Sequence, residues 1–166
     1  MSNAPFRIAE LRAGLDRALF NSGSAPLDRY FTQQVTQEIR RRIAACFVAL
    51  TPDDQVAGFY TLASASVLLA ELPTTIRQKL PRYPSVPAVC KGRLAIDLKF
   101  RGRGLGAALL ADALDRSTRS EIAAYALVVD AKDEQAAAFY SHHGFIALPD
   151  SPMKLFLPLK TVQGLG

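Results

Sequence analysis

The chain has 166 residues, 49% of them hydrophobic and 21% charged, with ten glycines, ten prolines and a formal net charge of +5. Such a length suits one core of the usual ~100–200 residues, and the apolar content excludes an intrinsically disordered chain. The excess of Lys and Arg favours acidic partners such as phosphates or nucleic acid without choosing among them.

Phe6-Arg7-Ile8 reads as a short edge strand, and Glu10 to Leu19 as a helix, from apolar residues at 11, 15, 18 and 19. The cluster Asn21-Ser22-Gly23-Ser24 breaks it. A second helix is predicted from near Pro26, capped by Ser24 or Ala25, with Asp28 in its first turn and Leu27, Tyr30, Phe31, Val35 and Ile39 on one face. Ala45 to Leu50 and Val56 to Ala65 read as a hairpin around the turn Thr51-Pro52-Asp53-Asp54. Leu72 to Leu80 is a short helix at most, and Pro81, Pro84 and Pro87 predict an extended, loop-like path. Gly92 to Phe100 is the next strand, followed by a helix over Ala107 to Arg116. Ala126 to Asp130 has the unbroken apolar character of a central strand, predicted parallel to Gly92–Phe100. Asp133 can cap a helix over Gln135 to His142 that ends at Gly144, and Phe145-Ile146 and Lys154 to Leu159 supply the last strands. No repeat or linker interrupts this order, so residues 1–166 read as a single domain.

Cys46 and Cys90 lie in apolar company and read as small core residues, which leaves a disulfide framework or a four-ligand metal site unsupported. No apolar run approaches the ~20 residues that span a bilayer. Asn3, Arg7 and Glu10 interrupt the pattern of a signal peptide, so the cytoplasm is the expected compartment, with no metal and no membrane partner.

The segment Arg101-Gly102-Arg103-Gly104-Leu105-Gly106 falls between a strand and a helix, where the first helical amides lack intrahelical partners and the positive end of the helix dipole faces outward. Glycines allow the backbone to approach phosphate oxygens, and arginines add charge-assisted hydrogen bonds. A tight turn with solvated arginines would use the same residues. Gly102 through Ala107 also satisfies the dinucleotide fingerprint Gly-x-Gly-x-x-Ala, with Asp130 downstream for a ribose, but too little chain follows for the remaining strands of that fold.

Arg101-x-x-Gly104-x-Gly106, preceded by Gly92-Arg93-Leu94-Ala95-Ile96-Asp97 and followed by Ala136-x-x-Phe139-Tyr140-x-x-x-Gly144-Phe145, resembles the GNAT superfamily of N-acetyltransferases. The resemblance implies an α/β (α+β) fold: a mixed, mostly antiparallel sheet splayed between two central parallel strands, with helices on both faces. It implies acetyl-CoA as the donor, its pyrophosphate on the amides of Arg101, Gly102, Arg103, Gly104, Leu105 and Gly106 and its pantetheine arm along Leu94, Ala95 and Ile96. A backbone amide near Ile96 would then stabilise the oxyanion, and the Tyr140 hydroxyl would protonate the departing sulfur. Where the superfamily often has Asn, this chain has Asp133, an acceptor-only carboxylate that reads as a helix cap. Asp97 and Glu38 are candidates for a general base, although an amine of low enough pKa needs none. His142 and His143 read as satisfying local carbonyls at a helix end.

Leu27-Asp28-Arg29-Tyr30-Phe31, Gly58-Phe59-Tyr60-Thr61-Leu62-Ala63, Lys79-Leu80-Pro81-Arg82-Tyr83-Pro84-Ser85-Val86-Pro87, Val129-Asp130-Ala131 and Leu155-Phe156-Leu157-Pro158 further resemble the GNAT toxins of bacterial type II toxin–antitoxin pairs. This resemblance implies acetylation of the α-amino group of aminoacyl-tRNA and arrest of translation. It also implies a ribbon-helix-helix antitoxin, operator DNA bound only through the antitoxin complex, and a homodimer. Arg40, Arg41, Arg42, Arg77, Lys79, Arg82, Lys91 and Arg93 are the candidate contacts to tRNA phosphates. A housekeeping acetyltransferase acting on a small amine or protein N-terminus would keep the cofactor loop, and a non-catalytic nucleotide-binding module would keep the loop without needing Tyr140.

Overall fold

A computed structural model describes residues 6–163, so Asn3, one of the polar residues that argue against a signal peptide, lies outside the described residues. Seven strands follow the hydrogen-bonded order β1-β2-β3-β4-β5-β7-β6. They are β1 (Arg7–Glu10), β2 (Ala45–Leu50), β3 (Val56–Leu68), β4 (Ser85–Ile96), β5 (Ala126–Asp130), β6 (Ile146–Leu148) and β7 (Ser151–Pro158). The helices are α1 (Ala25–Arg29), α2 (Val35–Arg40), α3 (Thr74–Arg77), α4 (Leu105–Thr118), α5 (Glu134–His142) and α6 (Leu159–Gln163). The described residues fall into two compact units, 6–63 with 92–113 and 64–91 with 114–163.

In the first unit β1 pairs antiparallel with β2, and β2 with β3. Phe20, Tyr30, Phe31, Val35, Cys46, Val48, Leu50, Val56, Phe59 and Ala95 form its core. Phe31 and Phe59 stack with centroids 4.2 Å apart, and Phe20 meets both rings edge-on. The long helix expected from Pro26 begins as read, with the Ser24 hydroxyl accepting from the Leu27 amide. It is interrupted by a wider π-helical turn over Tyr30–Gln34 before α2 continues.

The helix expected over Glu10 to Leu19 is absent: those residues continue out of β1 into turns. Gly14 adopts φ +94, the Asp16 carboxylate accepts from the Ala18 amide, and the Arg17 guanidinium donates to the Phe31 carbonyl. A left-handed residue and a side chain competing for a backbone amide both break the α-helical ladder, so apolar spacing alone misled here.

In the second unit β4 and β5 are parallel, from Ala88↔Ala126 to Lys91↔Val129. β5 and β7, and β7 and β6, are antiparallel. The core holds Val67, Leu69, Leu72, Val86, Ala88, Ala126, Val128, Leu148 and Phe156. Two expectations change. The fourth strand starts at Ser85 and passes through exposed Pro87 rather than starting at Gly92, and it ends at Ile96, with Leu98–Phe100 a 3₁₀ turn capped by Asp97. Proline's fixed φ suits an extended strand where its missing N–H is not needed, and the Pro87 carbonyl still accepts from the Tyr125 amide at 2.7 Å. The parallel register therefore falls on residues 88–91, not on 92–100.

Candidate active site

Within the first unit, β4 runs on to Ile96 past the last residue paired with β5. Two local features shape that stretch. A Cβ on Gly92 would lie 2.7 Å from the Thr61 hydroxyl, and the same buried hydroxyl accepts from the Arg93 amide at 3.0 Å. A Cβ on Gly58 would lie 3.0 Å from the Ala95 carbonyl oxygen. Close backbone approach thus favours glycine at 58, the Thr61 side chain occupies the space beside Gly92, and the Thr61 hydroxyl takes up the Arg93 amide. Leu94, Ala95 and Ile96 follow directly. Thr61 carries no motif in the sequence; isolated glycines inside strand patterns are the one signal that pointed to this irregularity.

Asp97 is buried, and its two carboxylate oxygens accept from the Asn21 and Lys99 amides at 3.0 and 2.9 Å. It anchors the turn that leads into the loop. Each of its carboxylate oxygens is thus already engaged by a backbone amide.

The loop Arg101–Gly104 is exposed, and α4 starts at Leu105. Gly102 and Gly104 have φ of +80 and +75, with no neighbouring atom within 4 Å of the place a Cβ would occupy. The glycines are required by backbone conformation, and the space beside them is open, which is the shape a diphosphate needs. Arg101 donates to the Ser22 carbonyl, bracing the turn at 21–24, while the Arg103 guanidinium lies 5.5 Å from the Phe100 ring centre. Gly106 sits with a would-be Cβ 3.5 Å from the Ile96 side chain, in ordinary contact. Residues 101–106 therefore fit a nucleotide diphosphate through backbone amides and local positive charge.

On the same unit, Tyr30 donates to Glu38 at 2.6 Å, and the Arg93 guanidinium lies 3.8 Å over the Tyr30 ring. Burial, reinforced by the Glu38 carboxylate, pushes the Tyr30 hydroxyl far above its usual pKa. Glu38 is thus occupied as a hydrogen-bond acceptor, and Arg93, although exposed, is already engaged with an aromatic face. Arg40, Arg41 and Arg42 are exposed at and after the end of α2.

Within the second unit, Asp133 caps α5 by accepting from the Ala136 amide at 2.8 Å, and His143 Nδ1 lies 2.8 Å from the Phe139 carbonyl, both as read from the sequence. Tyr140, on α5, is 7% exposed, against Phe139 and Phe145. Burial, with a smaller contribution from the Asp130 carboxylate, pushes its hydroxyl up to about 12. The phenol therefore carries its proton at neutral pH, the state a general acid requires.

Lys91 departs from the reading that places it on a basic surface. It is 3% exposed, with Nζ 5.4 Å from the centre of the Tyr140 ring, and burial lowers its pKa to about 8. An ammonium buried in this way cannot reach a phosphate of a bound RNA without leaving its site. Arg77 and Arg82, by contrast, come together with Leu69, Leu80 and Tyr83 along a groove of about 540 Å³, and Lys79 is exposed nearby in sequence. Among the described residues no group of His, Cys, Asp or Glu is arranged to hold a metal ion, and no helix is long and apolar enough to cross a membrane.

A parallel β4–β5 pair, an exposed glycine-arginine turn before α4 and a tyrosine on α5 are, each within its own unit, features of the acyl-CoA-dependent acyltransferases. Residues 42–147 match the acetyltransferase (GNAT) domain, and the chain belongs to that family. It is 37% identical over 165 residues to the tRNA-acetylating toxin of Mycobacterium tuberculosis (strain ATCC 25618 / H37Rv), covering 98% of this chain and 96% of that protein. Its fold matches AtaT complexed with acetyl-methionyl-tRNAfMet at a TM-score of 0.89 and 32% identity, over 96% of this chain and 98% of AtaT. A Tyr-to-Phe variant of the AtaT toxin bound to the C-terminus of the antitoxin AtaR and acetyl-CoA matches at a TM-score of 0.80 and 28% identity, over 97% and 98%.

Proposed function

We propose that this chain is the toxin of a type II toxin–antitoxin pair, an N-acetyltransferase that moves an acetyl group from acetyl-CoA to the α-amino group of aminoacyl-tRNA and so blocks translation. The observation that carries this reading is likeness along the whole chain, not only at the cofactor loop, to a tRNA-acetylating toxin. Acetyl-CoA supplies an acetyl thioester. The amides of residues 101–106, with Arg101 and Arg103, hold its diphosphate, and Leu94, Ala95 and Ile96 offer backbone groups to the pantetheine arm. The Ile96 amide donates to the oxygen that gains charge as the amine attacks, and Tyr140 gives its proton to the sulfur as the C–S bond breaks.

The acceptor amine lies beside an ester carbonyl and is less basic than a lysine amine, so a useful fraction is neutral at physiological pH. That removes the need for a protein base, in keeping with Asp97 and Glu38 both being engaged elsewhere. Arg40, Arg41, Arg42, Arg77, Lys79, Arg82 and Arg93 hold tRNA phosphates. Residues 1–166 act as one acetyltransferase domain, with β3 and β4 each running through both compact units. The toxin works in the cytoplasm as a homodimer that lengthens the basic surface along the RNA, and it is neutralised by a ribbon-helix-helix antitoxin that carries the complex to operator DNA.

The test is incubation of the purified chain with labelled acetyl-CoA and a full set of charged tRNAs. Label is expected on the aminoacyl end of one or more tRNAs, and its absence from every one of them overturns the proposal.

A further inference from the structure

Lys91 is a buried cation in a place where β-sheet packing calls for an apolar side chain. Its neighbours on β4 and β5, Val89, Val128 and Val129, are all apolar, and β4 pairs it with Val129 in the parallel register. Placing an ammonium there is unfavourable unless something compensates, because the charged form loses its hydration. Asp130 follows Val129 on β5, Cys90 precedes Lys91 on β4, Lys154 stands opposite Asp130 on β7, and Tyr140 faces Lys91 from α5. Among these, Tyr140 presents the Lys91 ammonium with its ring, 5.4 Å from Nζ to the centroid.

We propose that Lys91 is a positioning residue for Tyr140, its ammonium held against the ring face so that it fixes the ring and offsets the negative charge left on the phenolic oxygen when Tyr140 surrenders its proton. This rests on Tyr140 being the general acid of the proposed reaction. In that step the C–S bond of the thioester breaks with its electron pair going to sulfur, the Tyr140 O–H bond breaks, and the S–H bond of free CoA forms. A buried phenolate remains until water reprotonates it. Burial and Asp130 both disfavour that phenolate, and the Lys91 cation over the ring is the group placed to oppose them. Lys91 itself neither gains nor loses a proton in the step. Its service requires only that it be charged, which holds below about pH 8 and fails above it.

The experiment compares the full chain with Lys91→Met, Lys91→Arg and Tyr140→Phe, following CoA release in the first seconds after mixing with aminoacyl-tRNA, from pH 6.5 to 9.5. Lys91→Met is expected to lower kcat about tenfold with the KM for acetyl-CoA within about twofold of the parent. The parent enzyme is expected to show a falling limb near pH 8, which Lys91→Met should abolish. Lys91→Arg keeps a cation that stays charged, so it should recover most of the rate and carry no such limb. The midpoint of the limb should coincide with the titration of the Lys91 side chain followed by ¹³Cε NMR in the parent protein, a readout that does not depend on any variant folding. Equal losses in the Met and Arg variants, an unchanged limb in either, or a Lys91 titration that does not track the limb would each overturn the role. Loss of activity in Tyr140→Phe beside a normal Lys91→Met removes this inference alone, whereas full activity in Tyr140→Phe removes the reading of Tyr140 on which it rests.

Discussion

The glycine-arginine loop and the surroundings of Tyr140 are built by opposite means. The loop at 101–104 is exposed, and its glycines are fixed by positive φ with open space beside them. Tyr140 is a buried side chain whose character comes from packing: burial raises its pKa, Asp130 raises it further, and a buried lysine lies against its ring. A backbone site tolerates change in side chains and fails when φ is forbidden, while a buried side-chain site ties chemistry to stability. Damage at the two should therefore look different.

The largest effect is expected at the buried site. Tyr140→Phe removes the hydroxyl while keeping the ring, so with Tyr140 as the proposed acid kcat should fall about 10²- to 10⁴-fold with acetyl-CoA binding intact, measured by steady-state rates and calorimetric titration. Near-parental turnover would erase the chemical half of the contrast. At the loop, Gly104→Val forces a β-branched residue into φ +75, a strain of roughly 1–2 kcal/mol. It should raise the KM for acetyl-CoA about tenfold while kcat at saturation stays close to the parent value. A variant that instead lowered kcat with an unaltered KM would show that the loop does more than hold the diphosphate.

A third, smaller effect concerns the RNA rather than the donor. If Arg82 meets a phosphate, Arg82→Ala should reduce the slope of log affinity for tRNA against log salt by about 0.7–0.9, with acetyl-CoA kinetics unchanged. The smallest effect is on stability at alkaline pH, and it sharpens the comparison because only the buried site has it. Tyr140 keeps its proton to about pH 12 when folded and loses it near 10 when unfolded, so stability should decline as pH rises between those values. Lys91 acts in the other direction: the unfolded chain binds a proton that the folded chain has released above about pH 8, so stability rises from there to about 10.5. Urea midpoints across this range should lose the first slope in Tyr140→Phe and the second in Lys91→Met, while Gly104→Val keeps both.

Much of the fold was legible in the sequence because its signals are local. The apolar run Ala126–Asp130, the hairpin from Ala45 to Val56 and onward, the Ser24 and Asp133 caps and the glycine-arginine turn are each specified by residues within a few positions of one another. Two segments departed from their local signals. Residues 10–19 have helical spacing but are held in turns by Gly14, Asp16 and an arginine reaching Phe31. Pro87 looked like loop punctuation, and the Tyr125 amide just ahead of β5, which uses its carbonyl, helps hold it within β4.

By itself the sequence determined an open turn between a strand and a helix, because the positive φ at 102 and 104 favours glycine, and its motifs carried the resemblance that names the family. Only the tertiary structure decided which ionisable groups are free to act. A lysine, a glutamate and an aspartate read alike along a chain, yet Lys91 is buried beside Tyr140, Glu38 is bound by Tyr30, and Asp97 is held by two amides. Charge and proton affinity depend on solvation and on partners distant in sequence, which are set when the chain packs.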